Sequence, residues 1–158
     1  HSRVLYEQIV EYHTRSTDIP IQSVDLVTVE LPTRRAEVII AWLDALRGLG
    51  YGLESFGGSA IAVRALPVML SGQDISALIQ ALSATLSGVS DTDEAIERVQ
   101  KFTARLAAVK VGAILTTEQM QNIVRQLERC AAPLIDPDGG ATLIHMSGDH
   151  IAREFKRG

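Results

Sequence analysis

Asp136 and Asp138, in the run Asp136-Pro137-Asp138-Gly139-Gly140, come closest by type and spacing to a cation site. Carboxylate oxygens suit hard cations such as Mg²⁺ or Mn²⁺, and Asp-x-Asp-Gly resembles the opening of a calcium loop. The same five residues also make ordinary turn chemistry, with aspartates bonding backbone amides and glycines taking positive φ, and this is the simpler reading. His1, His13, His145 and His150 are scattered without metal-ligand spacing, so structural or surface roles are expected of each. Cys130 has no histidine near it in sequence and reads as a small buried hydrophobe rather than a nucleophile. Gly57-Gly58 is followed by a strand-like run and not a helix, so it is no phosphate-cradling loop, and Ser55 and Ser59 beside it read as turn residues.

The elements that position these residues are read from periodicity and punctuation. Residues 1–15 carry Val4, Leu5, Ile9 and Tyr12 at helical spacing, with Arg3, Glu7, Gln8 and Glu11 between them. Residues 16–22, with Pro20, form a connector, and residues 24–31 a strand stopped by Pro32. Thr33 to Arg47 then reads as one helix with Ile39, Trp42, Leu43 and Leu46 as its buried stripe, closed by Gly48 and Gly50. Leu53 to Pro67 is a hairpin about Gly57-Gly58, and both faces of its second arm are apolar enough to lie under helices.

After Pro67 the period changes. Residues 74–87 form a helix, and Ser90 or Asp91 caps a second one with Ile96, Val99, Phe102, Leu106 and Val109 inward, ended by Gly112. Thr116 with Gln119 opens a third carrying Met120, Ile123, Val124 and Leu127. Residues 131–140 are turn-rich, residues 141–146 form a short strand, and Ser147 caps a last helix. The order predicts an α+β fold.

Composition sets limits. With 158 residues, 46% hydrophobic and 22% charged, the chain suits one domain or two small subdomains sharing a core. Only 4% aromatic residues and a net charge of −4 argue against a broad nucleic-acid face, leaving weak or no direct DNA binding. A single cysteine excludes an internal disulfide, and no run of apolar residues is long enough to cross a membrane, so a cytoplasmic location is expected.

The wording of several stretches resembles the C-terminal, dimer-forming domain of the DNA mismatch repair protein MutL. Phe56-Gly57-Gly58 followed by Ile61-Ala62-Val63-Arg64-Ala65-Leu66-Pro67 is similar to the middle of that domain, and Arg3-Val4-Leu5-Tyr6-Glu7 to its first helix. Ala104 to Lys110 sits where the family has an Ala-Cys-Arg/Lys motif with a similar Val-Lys ending. Asp136 to Ala141 sits where it has Cys-Pro-His-Gly-Arg-Pro, ahead of Thr142-Leu143-Ile144-His145, and Phe155-Lys156-Arg157 fits its Phe-x-Arg ending. The family's strands ahead of the first helix have no counterpart in this sequence.

The resemblance implies two subdomains: a dimerisation part from residues 1–18 and 104–158, and an inserted external, regulatory part from residues 19–103. Many relatives cleave DNA at a metal held by Cys, His and carboxylate donors, which grip a Zn²⁺-type ion and leave a place for an activated water. Here Ser2 stands for the motif's first glutamate, Arg105 for the cysteine of Ala-Cys, and Asp136 and Asp138 for Cys and His, while Glu7 keeps the second glutamate. Three soft or borderline donors are gone, so the expectation is no catalytic residue, no metal and no cofactor. The implied function is a non-catalytic homodimerisation module, coupling two ATPase domains outside this sequence and contacting other repair proteins. The alternative is a metal-dependent nicking endonuclease using Asp136, Asp138 and Glu7. A partner segment is also implied, since the family docks on the replication sliding clamp through Gln-x-x-(Leu/Ile)-x-Pro ahead of its first external strand. At that place Gln22 is one residue out of register, Val24 and Leu26 supply the apolar positions, and Leu26 replaces the proline.

Overall fold

The computed structural model describes residues 1–15, 17–144 and 146–155. In chain order the elements are α1 (Ser2–Thr14), β1 (Ile21–Glu30), α2 (Thr33–Ala41), α3 (Leu43–Gly48), β2 (Gly52–Ser55) and β3 (Ala60–Pro67). A single 3₁₀ turn (Val68–Leu70) leads to α4 (Ile75–Thr85), α5 (Thr92–Ala107), α6 (Thr117–Glu128) and α7 (Gly148–Phe155). The α+β expectation holds. No helix among the described residues is long and apolar enough to cross a membrane.

Local chemistry explains most boundaries. The β2–β3 hairpin turns on Gly57 at φ 92° and Gly58 at φ 56°, backbone that only glycine adopts without strain, and Phe56 N–H closes it on Ala60 O. The Asp74 and Asp91 carboxylates cap α4 and α5 by accepting Ala77 and Glu94 N–H, so Asp91 and not Ser90 opens α5. Thr116 and Gln119 form the reciprocal capping box on α6, and Ser147 Oγ accepts His150 N–H at the start of α7.

The sheet is antiparallel in the order β1-β3-β2. Central β3 is covered on both faces, with Ile61, Ala62 and Val63 fully buried. One hydrophobic cluster joins Ile9 of α1 to the sheet, to Leu78, Ile79 and Leu82 of α4, and to Val99, Phe102 and Ala104 of α5. At its centre the Tyr51 hydroxyl lies 2.7 Å from Thr103 Oγ1, which itself donates to Val99 O. Burial therefore pushes the Tyr51 phenol well above its ordinary pKa near 10, only partly offset by that hydrogen bond.

Several expectations are corrected. The single helix over 33–47 is two, parted at Trp42, whose φ of −110° and ψ of 13° leave the helical range; Ile39 and Leu46 stay buried on either side. β1 starts at Ile21 because Ile21, Gln22 and Ser23 already pair with Pro67, Leu66 and Ala65. α5 stops at Ala107, its last carbonyls taken by the Lys110 ammonium, so Val109 lies outside it. Of the strand expected over 141–146, the described residues make one isolated bridge, Ile135 to Ala141, with no further described strand beside it to supply a ladder; residue 145 lies outside the described residues.

Candidate functional site

Asp136 behaves as a turn residue. Its Oδ1 accepts Asp138 N–H at 2.9 Å and Gly140 N–H at 2.8 Å, while Gly139 takes φ 92°. Asp138 faces α5, where Arg105 Nη1 stands 3.7 Å from its Oδ2. Glu7 is committed elsewhere: its two carboxylate oxygens accept Ala131 N–H at 2.7 Å and Ala132 N–H at 3.0 Å. Ser2 opens α1 and brings a hydroxyl, not a carboxylate.

The residues at these places do not fit a Zn²⁺-type ion. Each Glu7 oxygen already accepts a backbone amide, and the Arg105 guanidinium lies 3.7 Å from Asp138. Among the described residues no three His, Cys, Asp or Glu side chains converge as a cation would require. His13 and His150 are exposed, His1 Nδ1 accepts Val109 N–H at 3.1 Å, and His145 lies outside the described residues. Cys130 is half-buried, its thiol pushed up first by burial and then by the nearby charge of Glu7, which disfavours the thiolate a nucleophile needs.

Arg3 is the residue that periodicity missed. It was expected on the polar side of the first helix, yet it is only 8% exposed. Nε donates to Ile135 O at 2.7 Å, Nη2 to Asp136 O at 2.8 Å, Nη1 lies 3.8 Å from Glu7 Oε1, and the guanidinium sits 5.4 Å from the Tyr6 ring centroid. Its i, i+4 spacing from Glu7 was the available signal, since such pairs share a helix face.

The partner segment Gln22, Val24 and Leu26 lies within β1, an edge strand. Pairing runs to Ser23↔Ala65 and resumes at Val27↔Val63, so Val24, Asp25 and Leu26 bulge opposite Arg64 alone. Val24 packs against the core, Gln22 is half-buried and Leu26 is 51% exposed.

The opposite end of the chain exposes far more apolar surface. From Arg105 to Phe155, Leu127 is the one buried residue among those described. Met120 and Val124 on α6, Leu134 at 61% and Ile144 at 81% exposure, and Ile151 and Phe155 on α7 all face solvent. Thr142 N–H to Leu134 O and the Ile135–Ala141 bridge hold two apolar arms side by side, one with Leu134 and Ile135, the other with Leu143 and Ile144.

The chain is 35% identical over 158 residues to a DNA mismatch repair protein MutL of Methanocorpusculum labreanum, covering 99% of this chain and 27% of that protein. It is 29% identical to the protein of the same name from Methanoculleus marisnigri, over 100% of this chain and 27% of that one. The figure for its namesake from Gemmatimonas aurantiaca is 30%, over 99% of this chain and 26% of that one. The chain thus spans about a quarter of the length of these relatives. Residues 1–115 match the family described as the MutL C terminal dimerisation domain, and the chain belongs to that family.

Proposed function

We propose that this chain is the homodimerisation module of a MutL-like DNA mismatch repair protein, non-catalytic in itself, which couples two ATPase domains lying outside this sequence and acts in the cytoplasm. The observation that carries the reading is the near absence of burial beyond Ala104. A segment with one buried side chain, and a helix of eight residues with none, have little to hold them in water. A second copy laid on this face by a two-fold axis would cover each apolar side chain, each worth about 1.5–3 kcal/mol when fully buried. On this reading residues 1–18 and 104–158 form the dimerisation part, and residues 19–103, which hold most of the core, form the external part.

The Arg105–Asp138 pair and the two backbone amides bound by Glu7 support the absence of metal chemistry. Sedimentation at micromolar protein tests the dimer, with a persistent monomer overturning it. Incubation of supercoiled plasmid with the chain and Mn²⁺ tests the chemistry, and nicking abolished by Asp138→Ala would overturn the non-catalytic reading. Contact with the replication sliding clamp rests on the exposed Leu26 of the β1 bulge; Gln22→Ala and Val24→Ala should weaken clamp capture, and unchanged capture would remove that partner.

A further inference from the structure

We propose that Arg3 and Glu7 are positioning residues for self-association: together they latch the segment after α6 onto α1 and so set the two apolar arms at the angle a second copy meets. This rests on the dimer reading above.

The latch is built from charge on backbone. Glu7 satisfies two successive amides, Ala131 and Ala132, just past the end of α6. Arg3 spans two successive carbonyls, Ile135 and Asp136, with the fork geometry that a guanidinium alone provides. The two side chains stand one turn apart on α1 and 3.8 Å from each other, so the beginning and middle of residues 131–136 are tied to one helix face. The helix is itself anchored, because Val4 and Ile9 of α1 are buried.

The segment has few other ties. None of its own side chains is buried, so hydrophobic packing does not decide where it sits. What it carries is Leu134 and Ile135, and through the Ile135–Ala141 bridge the second arm with Leu143 and Ile144. Holding this ribbon in place before association removes an ordering cost that each subunit would otherwise meet on pairing. The hydrophobic core is built without any residue of 131–136.

The test compares the whole chain with Glu7→Gln and Arg3→Met. Dimer dissociation constants come from sedimentation equilibrium, and site-resolved amide exchange covers Ala131, Ala132 and the core residues Ile61 and Val63. The expected result is faster exchange at Ala131 and Ala132 in Glu7→Gln, unchanged protection in β3, and a dissociation constant raised about tenfold or more. Faster exchange at the two amides with an unchanged dissociation constant would overturn the proposal, as would unchanged exchange. If Arg3→Met fails to fold, Glu7→Gln decides alone, since it keeps size and one acceptor oxygen. A wild-type chain that stays monomeric overturns the dimer reading instead, and this proposal with it.

Discussion

Arg105 and Asp138 face each other at 3.7 Å, linking the last turn of α5 to the turn built by Asp136. A fixed positive charge beside that carboxylate satisfies it as a cation would, without a coordination sphere or an open position for water. Both side chains are more than half exposed, so the pair is a local electrostatic arrangement and not a structural pillar.

Arg105→Ala should therefore lower stability by less than about 1 kcal/mol in urea unfolding, with the remaining effect reduced in salt. A larger loss would mean that the pair anchors the 136–140 turn to the core.

Ile61→Ala at the centre of β3 should cost about 2–5 kcal/mol, because the side chain is wholly enclosed and both faces of the strand are covered. Thermal or urea unfolding checks this.

Gly50→Ala should destabilise by about 1 kcal/mol or more. Gly50 takes φ 85° where α3 ends in paired bonds from Gly50 to Arg47 O and from Tyr51 to Leu46 O, and a Cβ there would stand 3.2 Å from Ile21 Cγ2. The urea midpoint is the readout, and an unchanged midpoint contradicts the argument.

Alkali should unfold the protein through Tyr51. Its folded pKa lies above the ordinary value near 10, so the folded state holds the phenol proton that the unfolded chain releases. The stabilisation is fully present below pH 10 and is lost as pH rises beyond it. Tyr51→Phe should flatten that alkaline limb while costing about 1 kcal/mol at neutral pH through the lost bond to Thr103.

Leu134→Glu should leave thermal unfolding of the isolated subunit within about 0.5 kcal/mol of the original, because the side chain is exposed there. It should shift sedimentation from dimer toward monomer, since a buried interface charge without a partner is costly.

Signals confined to a few neighbouring residues were legible from the chain. The Gly57-Gly58 turn, the Asp91 cap of α5, the Thr116–Gln119 box, the Ser147 cap and the apolar run of β3 each depend on side chains within about five positions, and each appears where its residues stand. The Asp136 turn belongs with them. Family membership was legible too, from the order and wording of short stretches spread along the chain.

What the chain order hid lies in contacts across long separations. Arg3 looked solvent-facing because amphipathic periodicity scores residue type, whereas its burial depends on carbonyls 132 and 133 positions away. The break at Trp42 and the bulge at Val24–Leu26 had no marker in the local sequence, and next to them Leu46 and Val63 are buried in one core. Residues 141–144 have a strand's composition and still make only one isolated bridge, because a ladder needs a neighbour that local sequence cannot supply. Local hydrogen bonding and backbone preference are properties of a few adjacent residues, and the chain determined them alone; burial, pairing and the fate of a charge are properties of whatever the fold brings alongside, and those only the tertiary structure decided.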